Sequence, residues 1–256
     1  SLRVECPSEN MVNVSTVGLY HPFDFRTAQV EFPWKPFESC TLCLTEDNFE
    51  AEEEHVSFLF TTATSLKQLE VQFSEASHPE EWAVVPVASL LRHLRDSPCN
   101  ITHLSLGLRE ANSRLHFNIY HLQLGFLTNL QFLRVDMPDV SRTQLAEGTT
   151  SSSSSSAVVK LPPNLETLEL CGLDSRTTAA FDGLGDIVAA AAEQLGDRLR
   201  TLSIEKTWYT LSQHHIDSIA RCEALRSLRI ENLTTGPLEA LLDFSPPCCI
   251  EALAGV

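Results

Sequence analysis

The sequence is poor in basic residues and has no long hydrophobic run. Its 256 residues include 18 Lys and Arg against 34 Asp and Glu, which gives a net charge of −16 at pH 7. This charge would repel nucleic acid and anionic membranes, so we expect neither as a partner. The best apolar run, residues 82–91, is about half of the roughly 18 residues that a membrane span requires. We therefore expect an acidic, soluble, globular protein.

The sequence also lacks the motifs of common catalytic sites. It contains no H-E-x-x-H, G-x-S-x-G or G-x-x-x-x-G-K. Its one C-x-x-C, formed by Cys40 and Cys43, has no second pair to complete a zinc site and lies on a predicted strand. We expect no enzyme activity, no metal and no cofactor. The alternative, a dithiol enzyme, requires a thiol pKa well below about 8.5 at Cys40 or Cys43.

Cysteine usage bears on the compartment. Eight cysteines are too few for a disulfide scaffold, and their scatter through apolar stretches is typical of reduced, buried thiols. This favours the cytoplasm or the nucleus. Sequons at Asn13, Asn100 and Asn232 indicate the opposite, because a sequon is glycosylated only in a secreted chain. The chain starts at Ser1 without a signal-type stretch and ends in apolar residues, so we expect a fragment or processed form.

One apolar pattern recurs along the chain: apolar, two residues, apolar, one residue, apolar. Weaker copies begin at Val14 and lie near Leu42. Each copy ends in the alternation of a short strand with one buried face, and helical patterns occupy the intervals at 82–94, 186–195, 211–220 and from 236 onward. The pattern predicts an α/β solenoid with parallel strands on its concave side and helices on its convex side. A two-layer βαβ sheet is the alternative, with longer apolar strands. The six clear copies begin at Leu66, Ile101, Leu130, Leu165, Leu199 and Leu225, at intervals of 35, 29, 35, 34 and 26 residues.

This repeated unit resembles the leucine-rich repeat over residues 14–250. The segment from Ile219 through Cys222 and Leu225 to Ile230 is similar to the cysteine-containing repeats of F-box proteins, and residues 161–170 form another phrase typical of such arrays. The resemblance implies one irregular leucine-rich-repeat horseshoe over residues 1–256. It also implies that the chain is the substrate-recognition part of an F-box-type ubiquitin ligase adaptor, although no F-box is recognisable in the sequence. The family's Asn is replaced, so we expect its side-chain ladder to be absent. The replacing residues are Ser74, Arg109, Pro138, Leu173, Thr207 and Leu233.

The residues between and just after the inward apolar positions should line the concave side, because side chains alternate along a strand. We call ten of them the strand strip and expect a monomer that binds another protein there, since arginine is a frequent interface anchor. A solvated strand surface is the plainer interpretation of any single member. The strand strip consists of Glu70, Gln72, Ser105, Arg134, Asp136, Glu169, Ser203, Glu205, Arg229 and Glu231.

Two further functions remain open. An extracellular or innate-immune-type receptor or sensor domain would use the sequons and oxidised cysteines. A regulator of a small GTPase could be built on the same repeats. The Ser-rich segment at about 143–157, which includes six consecutive serines, cannot bury enough apolar area to offset its ordering entropy, so we expect a mobile loop there.

Overall fold

The structure of the chain is a computed structural model, and it divides into two compact units, residues 1–115 and 116–256. The predicted mobile loop at 143–157 lies outside the described residues. So does the start of the helix expected from 236 onward. The described residues are 16–19, 38–45, 56–57, 59–61, 63–74, 83–84, 87–108, 115–116, 122–136, 159–171, 180–205, 213–231 and 249–253.

Unit 1 contains parallel strands and a short helix. Its strands β1, β2, β3 and β5 pair in that order, each parallel to the next. A helix, α1, stands between β3 and β5 in the chain, as a parallel crossover requires. The elements are β1 (Thr16–Leu19), β2 (Ser39–Thr45), β3 (Gln68–Ser74), β4 (Ala83–Val84), α1 (Val87–Arg95) and β5 (His103–Leu108), and the short β6 (Leu115–His116) follows at the boundary.

Unit 2 repeats the arrangement of parallel strands and helices. Its five main strands pair in chain order, each parallel to the next. Among the residues that the structure describes, helices occupy two of the crossovers. The elements are β7 (Phe132–Asp136), β8 (Thr167–Cys171), α2 (Ala180–Leu195), β9 (Thr201–Glu205), α3 (Gln213–Ala220), β10 (Ser227–Glu231) and β11 (Cys249–Leu253).

The apolar repeat forms the core. All three apolar positions of all six clear copies are at most 2% exposed. Equivalent positions are also in register across neighbouring strands: Leu133 pairs with Leu168, which pairs with Leu202. Within each unit the copies therefore form parallel rungs with a shared apolar interior, as predicted. The fold is an α/β arrangement of parallel strands and helices that is compatible with a solenoid.

The helices follow from apolar stripes. In α1, the residues Val87, Leu90, Leu91 and Leu94 are buried, a spacing that puts them on one helical face. The predicted helix over 82–94 is wrong at its start, since Ala83–Val84 forms β4 and α1 begins at Val87. A residue before proline disfavours the α conformation, and Pro86 stands at this boundary. The helix predicted from 186 begins six residues earlier, at Ala180.

Backbone carbonyls join successive rungs where each strand begins. The residue that follows the first apolar position accepts hydrogen bonds from two consecutive N–H groups of the next rung. Lys67 O, for example, accepts from Thr102 N at 2.8 Å and from His103 N at 3.0 Å. The main chain therefore satisfies its own polar groups at this point without a side-chain ladder. The same arrangement is found at Glu38, Gln131, Glu166 and Arg200.

One side-chain ladder does occur, but not at the position that asparagine occupies in leucine-rich repeats. Asn164, just before the first apolar residue of its copy, donates from Nδ2 to Thr128 O at 2.7 Å. Arg198, at the equivalent place in the next copy, donates from Nη1 to Asn164 Oδ1 at 3.1 Å and to Pro163 O at 2.8 Å. Three successive turns of unit 2 are thereby tied together. Of the six positions where the family places its Asn, all except Ser74 lie outside the described residues.

Candidate protein-binding site

The strand strip divides between the two units. All ten members lie on strands, at positions that alternate with the buried apolar residues. Three belong to unit 1 and seven to unit 2. In unit 1, β3 carries Glu70 and Gln72 and β5 carries Ser105; in unit 2, β7 carries Arg134 and Asp136, β8 carries Glu169, β9 carries Ser203 and Glu205, and β10 carries Arg229 and Glu231.

The seven members in unit 2 form two rows that cross the strands. In the first row Arg134 is paired in register with Glu169, Glu169 with Ser203, and Ser203 with Arg229. Two residues further along the strands, Asp136, Cys171 and Glu205 are in register. Glu231 occupies the corresponding position on β10. Parallel pairing thus brings together charges that are about 30 residues apart in sequence.

Arg134 joins the first two carboxylates. Its Nη1 lies 3.2 Å from Glu169 Oε2 on the neighbouring strand, and its Nη2 lies 3.2 Å from Asp136 Oδ2 on its own strand. Both hydrogen bonds are charge-assisted and use the planar fork of the guanidinium group. We call Arg134, Asp136 and Glu169 the first triad; it carries a net charge of −1.

Arg229 forms a second triad, which also consists of one arginine and two carboxylates. Its Nη1 lies 3.0 Å from Glu205 Oε1 on β9, and its Nη2 lies 3.3 Å from Glu231 Oε1 on β10. Ser203 donates from Oγ to Glu205 Oε1 at 2.8 Å and so helps to fix that carboxylate. The carboxylate side chains are only 18% and 24% exposed, so water solvates them incompletely. Arg229, Glu205 and Glu231 are the second triad, again with a net charge of −1.

Ser203 contributes little exposed surface. Its residue is 4% exposed, so we expect it to act through its hydrogen bond to Glu205 rather than by direct contact with a partner. The strand periodicity placed Ser203 on the correct face. The sequence could not show how far the longer neighbouring side chains cover it.

Cys171 lies at the centre of the unit 2 strip. It is buried, and its register partners are Asp136 and Glu205. Burial raises the pKa of the Cys171 thiol to about 11; nearby Arg134 opposes the rise, and the carboxylates of Asp136, Glu205 and Glu169 add to it. The thiol is therefore neutral at pH 7. Sequence reasoning placed Cys171 on this face, one residue after the third apolar position, but did not include it among the ten candidate residues.

Unit 1 presents a far less charged face. Glu70 is its only charged member of the strand strip, and its oxygens accept hydrogen bonds from Thr41 Oγ1 at 3.3 Å and Gln72 Nε2 at 2.8 Å. Ser105 is half-buried on β5. No arginine stands beside these residues within the strand strip. The charge-dense part of the strip accordingly belongs to unit 2.

The described residues also bear on the metal, dithiol and membrane expectations. Within the part of the chain that the structure describes, no group of three or more His, Cys, Asp or Glu side chains is placed to hold a metal ion. Cys40 is buried on β2, whereas the side chain of Cys43 lies outside the described residues, so the dithiol alternative stays untested. Among the helices described, none has the length and apolar character to cross a membrane.

Comparison with known proteins supplies no family. No protein-family model matches the sequence, and a search of curated proteins returned no match. The function therefore has to be argued from the geometry of the site.

Proposed function

We propose that this chain is a non-catalytic protein-interaction module and that unit 2 binds another protein through its part of the strand strip. The observation that carries the proposal is the pair of triads, in which two arginines are each fixed by two half-buried carboxylates on one face of parallel strands. Parallel-strand arrays commonly bind partners on such a face.

The triads favour binding because their side chains are already ordered. A free surface arginine loses rotamer entropy when it is immobilised at an interface, at a cost of about 0.5–1.5 kcal/mol. Arg134 and Arg229 have met much of that cost within the folded chain, since each makes two charge-assisted hydrogen bonds. Arginine is also enriched among the residues that dominate interface energetics.

Paired variants test this role. Arg134→Gln with Arg229→Gln removes both guanidinium groups, and Arg92→Gln with Arg226→Gln removes the same charge from exposed sites outside the strip. We expect captured partners, quantified by mass spectrometry from cells expressing each tagged variant, to be lost with the first pair and retained with the second. Equal capture by both, with circular dichroism showing both folded, would contradict the proposed surface.

The finer assignment rests on the sequence resemblance. We propose that the fold is a leucine-rich-repeat solenoid and that the module recognises substrates for an F-box-type ubiquitin ligase in the cytoplasm or nucleus. The free thiols of Cys40, Cys99, Cys171 and Cys222 support a reducing compartment. The full-length native protein should co-purify with the adaptor subunit that binds F-boxes. Absence of that subunit would contradict the ligase role and leave the interaction surface untouched.

A further inference from the structure

On the strands of unit 2 that the structure describes, the strand strip carries more carboxylates than arginines. Each triad combines one guanidinium group with two carboxylates, so the two triads together carry a net charge of −2. Their residues alternate with the buried apolar residues and therefore lie on the opposite face of the strands.

The surplus charge is concentrated at one end of the strands. The first row contains Arg134, Glu169, Ser203 and Arg229, and its charges sum to +1; the second contains Asp136, Cys171, Glu205 and Glu231, and its charges sum to −3. The second row therefore presents three carboxylates near the carboxyl ends of β7, β9 and β10.

Cys171 separates two of these carboxylates. Its neutral thiol stands between Asp136 and Glu205 and supplies no positive charge. It is buried, and it alternates with Leu170 along β8, so it lies on the same face as the strand strip.

We propose that the partner is a protein segment that presents cationic side chains, lysine or arginine, to the two triads. This inference rests on the proposed function and names the chemistry of its partner. Adjacent strands are about 4.8 Å apart, and the triads are centred two strand intervals from each other, so two cations about 10 Å apart are needed. An extended segment crossing the strands meets this requirement with basic residues two to four positions apart.

Unit 1 provides an internal control for this recognition. Glu70 occupies the same row position on β3 as Glu169 does on β8, yet its neighbours there are Thr41 and Gln72 rather than arginine. The surrounding strand is equally regular and parallel. Loss of the Glu70 charge therefore removes one negative charge without affecting either triad.

The experiment uses short labelled peptides of alternating serine with arginine, glutamine or glutamate, measured by fluorescence anisotropy at low salt. The arginine peptide should bind the wild-type protein, and Glu205→Gln with Glu231→Gln should weaken binding about 3- to 30-fold. Glu70→Gln with Glu193→Gln removes as much charge elsewhere and should leave the affinity within about twofold. Binding should weaken steeply as salt is raised, since the contacts are ionic.

Amide hydrogen exchange of the wild-type protein provides a readout that needs no variant. Protection by the arginine peptide should appear in β7–β10 rather than in β3. Equal weakening by both pairs of substitutions, or protection spread over both units, would show attraction to the overall charge of −16 and overturn the inference. Absence of arginine-peptide binding, or equal binding of the glutamine or glutamate peptide, would also overturn it. The proposed function would still stand if partner capture depended on Arg134 and Arg229.

Discussion

At the scale of single residues, Gly196 marks a close approach of two chain segments in unit 2. It follows α2 directly, and its carbonyl accepts a hydrogen bond from Ala224 N at 3.1 Å. A Cβ at this position would lie 2.7 Å from Ala192 O and 2.8 Å from Arg221 O. Both atoms belong to the backbone, so neither can move aside by a rotamer change.

We predict that Gly196→Ala destabilises the protein by about 1–3 kcal/mol, because the end of α2 must shift away from the turn after α3. Urea unfolding measures the effect. Gly125→Ala is the matched control, since a Cβ there would lie 3.7 Å from Lys160 Cβ, an ordinary contact. Equal free energies of unfolding for the two variants would show that the contact at Gly196 relaxes without cost.

The buried thiols predict a second residue-scale effect. Burial raises the pKa of Cys222 to about 11, as it does for Cys171. Relative to a thiol with an ordinary pKa of 9.0, the thiolate fraction at pH 8 falls about 100-fold. Iodoacetamide should accordingly label both sites in the folded protein at least about 100-fold more slowly than in urea, as peptide mass mapping can measure. Labelling at equal rates would show that these thiols are accessible and ionised.

The same shifts set the direction of a pH dependence. The folded-state pKa values lie above the unfolded ones, so the unfolded chain releases these protons first as pH rises. The thiols' contribution to stability is complete below about pH 9 and should be lost between about pH 9 and pH 11. Cys171→Ala with Cys222→Ala should flatten the fall in unfolding free energy over this range. An unchanged dependence of the unfolding free energy on pH would show that other groups cause the fall.

At the scale of elements, one side chain attaches α2 to the turn between two rungs. Gln194 donates from Nε2 to Val159 O at 2.7 Å and accepts at Oε1 from Leu161 N at 3.0 Å. Its amide therefore satisfies the hydrogen bonds of two backbone groups that precede the rung beginning at Leu165. This contact complements the apolar face of α2, where Ile187, Val188 and Leu195 are buried.

We predict that Gln194→Ala lowers the free energy of unfolding by about 1–3 kcal/mol, because it removes two hydrogen bonds of about 0.5–1.5 kcal/mol each. Chemical denaturation gives the value. Glu193→Ala alters the exposed neighbour on the same helix and should change stability by less than about 0.5 kcal/mol. An equally small change in the free energy of unfolding for both substitutions would show that water replaces the Gln194 amide at little cost.

At the scale of the whole molecule, the net charge of −16 opposes the compact state. The first triad offsets this repulsion only locally, because its own net charge is −1. Ionic screening reaches about 30 Å at 0.01 M salt and about 8 Å at 0.15 M. Salt should therefore relieve repulsion between distant carboxylates more than it weakens the close ion pairs.

We predict that the melting temperature rises when sodium chloride is increased from about 0.01 M to about 0.15 M, as calorimetry at pH 7 can measure. A melting temperature that falls with added salt would show that ion pairs such as Arg229 with Glu205 outweigh the general repulsion. Potassium chloride at the same concentrations should give the same change, since the effect depends on ionic strength.

The sequence by itself determined the rungs. Leu165, Leu168 and Leu170 recur at a spacing that matches one strand and the turn leading into it, and burying them requires neighbouring copies to align. Local rules also located α3 and the end of α1 to within a few residues. They misplaced the start of α1, where β4 intervenes before Val87. Short segments such as β4 depend on pairing with distant residues, which a local pattern does not contain.

Only the tertiary structure decided which side chains of the strand strip act together. Arg134 and Glu169 are 35 residues apart in sequence, and strand register alone brings them to 3.2 Å. The alternation of side chains assigned a face to each residue, but it could not distinguish the paired arginines from the single charge at Glu70 or reveal that Cys171 is buried between carboxylates. Ion pairing and burial depend on three-dimensional distances, whereas periodicity along one strand determines only the face on which each side chain lies.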